Sequence, residues 1–268
     1  MKYDFTGKER DNETSYDYFG ARYYDSRIGR WGQVEPLLDK YPSFSSYSYS
    51  ANNPILYRDF NGEEIDLSNI QNYAYDIKSN LEYITGLSLD IQDNKIVNTT
   101  TDYSNLKGSE TARDILIKAL GEDYEINVSQ SDENTETSGS DIKMNPEMIS
   151  NFMKGARKVD ANTMGWAMTL LHELHHTPVG GSVKGDPKEF GEIGPIETIM
   201  NDIRGELTKS YGKNFGRRTS YIGRGFKGKD KVYFPFDDKS RDKLMKGNRP
   251  SPKNSYIEYN MINKGKGF

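Results

Sequence analysis

The segment 166–177, WAMTLLHELHHT, constrains the fold of this 268-residue chain more than any other stretch. Its apolar residues recur at the three- and four-residue spacing of one helical face, at Ala167, Leu170, Leu171 and Leu174. All three histidines of the chain fall within this segment, and His172 and His176 lie on nearly the opposite face. Because such a stripe must be buried, the pattern predicts a helix over about 162–177 that packs on a core and turns its imidazoles toward a cleft.

The histidines belong to the run His172-Glu173-Leu174-His175-His176, which matches the H-E-x-x-H pattern. Two imidazoles four residues apart on a helix lie only about 40° apart around its axis, so both can bind one metal ion. The glutamate between them projects beside that ion and can accept a proton from an activated water molecule. We therefore predict that His172 and His176 bind Zn²⁺ and that Glu173 is the general base, while His175 faces partly away.

A catalytic zinc site needs a third protein ligand and an open position. The chain has no cysteine and no further histidine, so the third ligand must be Asp, Glu or Tyr. Pro195 predicts a second long helix over about 195–210, and Glu197, in its first turn, is the preferred third ligand. The alternatives that stay open are Glu192, Glu189 and Asp186.

The composition of the chain changes near Gly62. Nine of the nineteen tyrosines lie between residues 3 and 57, in short aromatic runs separated by Gly, Ser, Asn and Asp. This alternation favours short strands with frequent turns, and about 60 such residues bury too little apolar surface to fold alone. The sequence therefore predicts two domains, residues 1–62 and 63–268.

The second segment mixes helical and strand patterns without a regular βαβ rhythm, so we predict an α+β fold. The spacing predicts helices over 70–85 and 109–120, the latter capped by Ser109 or Thr111. It predicts a hairpin over 87–97 with Asp93-Asn94 at its turn, and strands over 124–128 and 142–144. The polar stretch 129–140 is expected to be a loop.

Charge is distributed unevenly along the chain. Residues 207–268 hold 16 Lys and Arg against 5 Asp and Glu, a balance of +11, so the other 206 residues sum to −15. A basic tail can contact nucleic acid, which makes a nuclease an alternative function. The histidines do not fit His-Asn-His nuclease spacing, however, and no second carboxylate cluster is evident, so we do not expect a nucleic-acid partner.

Several protein classes are excluded by composition. The lack of cysteine rules out disulfide scaffolds and thiolate metal sites. The longest uncharged, largely apolar run, 163–171, is far shorter than the roughly 20 residues of a membrane span. The first ten residues lack the apolar core of a signal peptide.

The first segment contains motifs that identify a family. These are FTGKERD at 5–11, YFGARYYD at 18–25, GRW at 29–31 and NNP at 52–54. Together they closely resemble the RHS repeat-associated core, the C-terminal signature of RHS/YD-repeat proteins. The resemblance implies a core that closes a β-shell built from upstream repeats and that is followed by a variable toxin domain. Loss of that shell fits the hydrophobic content of only 34%.

The same resemblance implies further properties. The chain is expected to belong to a secreted or delivered effector, with the RHS shell and a cognate immunity protein as partners. Some family members release the toxin by aspartyl self-cleavage near paired Asp-Pro motifs. This chain has Glu35-Pro36 and Asp59-Phe60 at those places, which argues against self-cleavage here.

A second resemblance covers residues 171–221. The matching pieces are HELHH at 172–176, Gly194-Pro195, Asn201-x-x-Arg204, Glu206-Leu207 and RTSY at 218–221. They are similar to zinc metallopeptidase domains at the ends of polymorphic toxins. The resemblance implies a zincin-like fold, Asn201 and Arg204 orienting the ligand carboxylate and the substrate backbone, and Tyr221 stabilising an oxyanion.

These observations together predict a zinc-dependent endopeptidase toxin with a protein substrate. Zn²⁺ would be held by His172, His176 and Glu197, with Glu173 and Tyr221 as catalytic residues. Two alternatives stay open beside it: a nuclease-type toxin that uses the basic C-terminal segment, and a non-catalytic module in which zinc only joins two helices.

Overall fold

The computed structural model describes residues 9–11, 13–18, 23–32, 65–121, 126–227 and 229–261. Contacts divide the chain into two compact units, residues 1–63 and 64–268. The boundary predicted at Gly62 lies outside the described residues, as do the sequence features at 5–8, 19–22, 35–36, 52–54 and 59–62. Within the described part, helices and strands are mixed, which confirms the α+β class.

The first unit contains a small antiparallel sheet of four consecutive strands: β1 (Glu9–Arg10), β2 (Asp17–Tyr18), β3 (Tyr23–Asp25) and β4 (Arg30–Trp31). Tyr24 and Trp31 are buried and meet edge to face, with ring centroids 5.3 Å apart. Arg10 pairs with the buried Asp17 at 2.8 Å. The short strands separated by turns agree with the pattern of the sequence.

Six strands form a mixed sheet in the second unit: β5 (Ile65–Asn69), β6 (Leu89–Gln92), β7 (Lys95–Asn98), β8 (Ile126–Gln130), β9 (Glu136–Ser138) and β10 (Asp141–Met144). Their order is β6-β7-β5-β8-β10-β9. The central strands β5, β8 and β10 are parallel, and β7 and β9 pair antiparallel to their neighbours. Asp93 and Asn94 turn the β6–β7 hairpin with positive φ angles, which confirms the predicted turn.

Six α-helices are described: α1 (Ala74–Thr85), α2 (Glu110–Ala119), α3 (Pro146–Gly155), α4 (Trp166–Leu174), α5 (Gly194–Tyr211) and α6 (Asp238–Met245). The predicted stripe of α4 is fully buried in the main core, together with apolar residues of α1, α2, α5 and the six-stranded sheet. Ser109 caps α2 by accepting a hydrogen bond from the Ala112 amide, as predicted. None of the helices in the described part of the chain is both long enough and apolar enough to cross a membrane.

The predicted loop at 129–140 is wrong in one respect that matters for the site. Residues 136–138 form β9, which pairs with β10 and occupies one edge of the sheet. The strand could not be recognised in the sequence because none of its three residues, Glu136, Thr137 and Ser138, is apolar. Polar residues are usual on an edge strand, since much of it faces solvent.

The described part of the basic C-terminal segment, residues 207–227 and 229–261, contains strands and a helix. Strands β11 (Ala156–Arg157), β12 (Arg224–Gly225), β13 (Lys231–Pro235) and β14 (Tyr256–Asn260) form a second sheet in the order β11-β14-β13-β12. Phe152 of α3 and Phe236, Ile257 and Tyr259 form the core beneath it. Helix α3, which carries Phe152, was not predicted, although Asn145 caps it and Pro146 opens it.

Candidate metal centre

Helix α4 carries His172 and Glu173 into the site, but it is shorter than predicted. A 3₁₀ turn covers residues 161–164, and the α-helix runs only from Trp166 to Leu174. Its first turn is fixed by Asn80 of α1, whose Oδ1 accepts a hydrogen bond of 2.8 Å from the Ala167 amide. This cap replaces the one that Gly165, at the N-cap position, cannot supply.

His176 lies beyond the end of α4, in a tighter turn. The amides of His175 and His176 donate to the carbonyls three residues earlier, of His172 and Glu173. The chain then folds back so closely that a Cβ on Gly180 would lie 2.2 Å from the Leu174 carbonyl oxygen. The rings of His172 and His176 nevertheless remain neighbours, with centroids 5.3 Å apart.

The returning loop orients the second imidazole. Nδ1 of His176 lies 2.6 Å from the carbonyl oxygen of Val183, and the Val183 amide donates to His175. Because a carbonyl can only accept, Nδ1 carries a proton, and Nε2 is the ring nitrogen that faces Asp186. Such a hydrogen bond is the usual partner of a metal-binding histidine.

Asp186 completes the cluster from the same loop. Its Oδ2 lies 3.5 Å from Nε2 of His172 and 3.4 Å from Nε2 of His176. One ligand atom from each of the three residues lies within 4.8 Å of the others. Burial opposes ionisation of Asp186, but its interactions with His172 and the hydroxyl of Tyr221 prevail and lower its pKa to about 2. The carboxylate is therefore charged at neutral pH.

Glu197, the preferred third ligand, does not join this cluster. Its carboxylate is almost fully buried, and each oxygen accepts a hydrogen bond from an arginine: Oε1 from Arg204 and Oε2 from Arg218, the latter at 3.0 Å. Burial would raise the pKa of Glu197, but the two guanidinium groups hold it below its usual value. Asp186, one of the alternatives, lies where Glu197 was expected.

The other acidic alternatives do not join it either. Glu189 and Glu192 are exposed, and only the backbone carbonyl of Glu192 contacts a site residue, by accepting from the Tyr221 amide. Asn201 and Arg204 do not contact the cluster, although they were expected to orient its carboxylate. Their side chains hydrogen-bond to each other, and they also bond to Glu197 and to the backbone of Arg218. Its place in the first turn of the predicted helix made Glu197 the preferred ligand, but that position could not show which groups its carboxylate contacts.

Glu173 is buried against the edge strand. Its Oε2 accepts a hydrogen bond of 2.7 Å from Oγ1 of Thr137 in β9. Sequence reasoning missed Thr137, because nothing in the polar stretch 129–140 marks one hydroxyl above the others.

Tyr221 is brought into the site, as the sequence predicted. Its hydroxyl donates to Oδ2 of Asp186 at 2.8 Å and lies 3.4 Å from Nε2 of His172, and its ring stacks on that imidazole with centroids 5.6 Å apart. Burial, together with the charge of Asp186, raises the pKa of Tyr221 in spite of the nearby Arg218 guanidinium. The phenol is therefore protonated at neutral pH and available as a donor.

His175 lies outside the cluster. It is buried, and its Nδ1 lies 2.8 Å from the Leu171 carbonyl oxygen. Burial lowers its pKa, and the hydrogen bond to Leu171 opposes this only in part.

The donor set fits a divalent metal ion. Two imidazole nitrogens and one carboxylate oxygen converge, and both His176 and Asp186 have hydrogen-bond partners that hold them in place. Zinc accepts this combination of ligands, as do other first-row metals. A set of three protein ligands is typical of catalytic rather than structural zinc sites.

Comparison of the chain with family models, with curated proteins and with solved structures finds no match.

Proposed function

We propose that residues 64–268 form a zinc-dependent endopeptidase of the zincin type. The observation that carries the proposal is the convergence of His172, His176 and Asp186 beside Glu173. A zinc ion bound there would supply Lewis-acid chemistry, lowering the pKa of water and polarising a peptide carbonyl.

The residues around the cluster have complementary tasks. Thr137 holds Oε2 of Glu173, which leaves Oε1 to accept a proton from the attacking water and pass it to the leaving amine. Tyr221 keeps its proton, and on substrate binding its hydroxyl can redirect its single donated hydrogen bond from Asp186 to the oxygen of a peptide carbonyl.

Strand β9 supports a peptide as substrate. It ends the strand order of the six-stranded sheet, and among the described strands it pairs only with β10. The backbone groups on its other edge can pair with an extended peptide, which is a common mode of peptide recognition. Because Thr137 of this strand touches Glu173, a peptide added to β9 would pass close to the general base.

We also propose that residues 1–62 belong to an RHS repeat-associated core and that the chain is a delivered toxin with a cognate immunity protein. This part of the proposal depends on the tyrosine- and glycine-rich motifs of the sequence. The short antiparallel strands β1–β4 agree with it.

The proposal is tested by metal analysis combined with a peptide-library cleavage profile. Purified protein should contain about one equivalent of zinc, and His172→Ala should contain much less. Glu173→Gln should keep the metal but lose at least about a hundredfold in kcat/KM. Glu189→Gln, which alters an exposed acid outside the cluster, is the matched control and should cleave normally. Full activity of Glu173→Gln would contradict the peptidase assignment.

The nuclease alternative is checked with the same preparation. Lys231 and Arg241 of the basic segment already pair with Glu258 and Asp238, so part of its charge serves the fold. Incubation with plasmid and total RNA should give no salt-sensitive cleavage.

A further inference from the structure

Three charged side chains lie together in the core behind the candidate metal centre. Glu197 and Arg204 are each 1% exposed and Arg218 is 5% exposed. Two guanidinium groups and one carboxylate give this group a net charge of +1. Burying charges is costly unless every one is paired and hydrogen-bonded, so the arrangement calls for an explanation.

Arg204 binds only groups of the core. Besides Glu197, it donates to Oδ1 of Asn201 at 3.0 Å, to Oγ1 of Thr163 at 3.0 Å and to the Thr163 carbonyl at 3.2 Å. It therefore fixes the Glu197 carboxylate in one position on α5.

Arg218 extends from that carboxylate toward the metal centre. Its Nη1 donates to Glu197, its Nε donates to the Ser220 carbonyl at 3.2 Å, and its Nη2 donates to the carbonyl of Tyr221. The guanidinium carbon also lies over the Tyr221 ring, 4.7 Å from its centroid. Both the backbone and the ring of Tyr221 are thus held by one side chain.

Tyr221 connects Arg218 to the candidate metal centre. Its amide is fixed by the Glu192 carbonyl at 2.7 Å, and its hydroxyl donates to Oδ2 of Asp186 at 2.8 Å. A continuous series of contacts therefore links Glu197, through Arg218 and Tyr221, to Asp186.

We propose that Glu197 and Arg218 are positioning residues that set Asp186 as a metal ligand by holding Tyr221. This inference rests on the metal site of the proposed function, which it deepens. A pair that served the core alone would have both ends bonded to core elements, as Arg204 has. Two of the three donor nitrogens of Arg218 bond instead to the segment that ends in Tyr221.

The test is a double-mutant cycle of Arg218→Lys with Tyr221→Phe, read out as zinc affinity by chelator competition. Lysine keeps the charge but cannot reach Glu197, Ser220 and Tyr221 at once. Each single variant should bind zinc about tenfold more weakly, as is usual for groups that orient a ligand. The double variant should be no weaker than the weaker single one, because both changes remove the same support. Losses that multiply to about a hundredfold would overturn the inference.

The control separates positioning from stability. Thr163→Val removes a hydroxyl that accepts from Arg204 and donates to the Phe215 carbonyl, but it leaves Arg218 and Tyr221 untouched. It should lower the melting temperature and change zinc affinity less than twofold. If it weakens zinc binding as much as Arg218→Lys does, the effect of the buried group is only structural and the inference fails.

A second readout does not require metal or activity. In metal-free protein labelled with ¹³C-tyrosine, the Tyr221 signal is assigned by its loss in Tyr221→Phe. Arg218→Lys and Asp186→Asn should each shift that signal, whereas Thr163→Val should not. An unmoved signal in Arg218→Lys contradicts the positioning role even if the protein proves to bind no zinc, which would separately contradict the proposed function.

Should Arg218→Lys not fold, Arg218→Gln combined with Glu197→Gln replaces it in both experiments. This double variant removes the ion pair between Glu197 and Arg218 as a unit, so the net charge of the buried group stays at +1. The same outcomes apply.

Discussion

Oγ1 of Thr137 donates a hydrogen bond of 2.7 Å to Oε2 of Glu173 and so joins edge strand β9 to helix α4. The general base of the proposed reaction is thereby oriented by the strand that ends the order of the six-stranded sheet in the described part of the chain. A substrate that pairs with the edge of β9 would therefore lie on the same strand that holds the general base.

Removal of this hydroxyl should affect the reaction more than the fold. Thr137→Val keeps the shape but cannot orient the carboxylate, so kcat should fall about tenfold while KM changes less than threefold. Thr137→Ser should retain most of the activity. Steady-state kinetics on a peptide selected from the library would measure both, and equal activity of the Val and wild-type proteins would refute the orienting role.

Loss of charge at Asp186 should weaken zinc binding, whereas loss of charge at Glu197 should lower the stability of the fold. Asp186→Asn removes a proposed ligand, so zinc affinity should fall at least about a hundredfold with little change in stability. Glu197→Gln leaves two buried arginines without their carboxylate, so the free energy of unfolding should fall by about 3 kcal/mol or more. Urea unfolding and chelator competition on the two variants give the comparison. A larger loss of zinc affinity in Glu197→Gln would restore that residue as the ligand.

Glu206 should make stability depend on pH in the acid range. It accepts hydrogen bonds from Oγ of Ser109 at 2.5 Å and from Oγ1 and the amide of Thr111, at the start of α2. Burial opposes ionisation, but these bonds hold the pKa of Glu206 below its usual value. A group whose pKa is lower in the folded state stabilises fully above its unfolded pKa, and this stabilisation is lost as pH falls through the folded pKa.

The measurement is urea unfolding of wild type and Glu206→Gln between pH 3 and pH 7. The variant should be about 1–2 kcal/mol less stable at pH 7, with a smaller difference at pH 3. Glu110→Gln, an exposed change in the first turn of the same helix, should reproduce little of this effect. A stability difference between wild type and Glu206→Gln that grows as the pH falls would contradict the predicted pH dependence.

Gly180 should be intolerant of a side chain. Its Cβ would lie 2.2 Å from the Leu174 carbonyl oxygen and 2.3 Å from Cα of His175, so Gly180→Ala must push the returning loop away from the end of α4. Since that loop carries Asp186, zinc affinity and thermal stability should both fall. Gly205→Ala on α5 is the control, because a Cβ there has no neighbour within 4 Å, and it should stabilise the protein by up to about 1 kcal/mol. Calorimetry of both variants with and without zinc would measure their thermal stability and the stabilisation that zinc provides.

Local helical periodicity correctly predicted the buried face of α4 and the proximity of two imidazoles. The apolar stripe of α4 is buried, and His172 and His176 lie side by side although the α-helix ends at Leu174. The predicted end of the helix was wrong. The two imidazoles are neighbours nevertheless, because the turn after Leu174 keeps a residue spacing close to that of a helix.

Glu197 was selected by its place in the first turn of α5, and the structure shows its carboxylate to be buried. An inward-facing carboxylate can bind a metal or an arginine, and the spacing along α5 is the same in both cases. Arg218, which decides between them, lies 21 positions further along the chain.

The sequence by itself determined that helices lie at α1, α2, α4 and α5, that two histidines flank Glu173, and that thiolate ligands are excluded, because these follow from side-chain spacing and residue type. Only the tertiary structure decided that Asp186 lies beside both imidazoles, that Thr137 holds Glu173, and that β12, β13 and β14 of the basic segment form a sheet with β11. Each of these contacts joins residues from different elements or from an irregular loop. Their free energy depends on how the chain closes around the core, which no local pattern records.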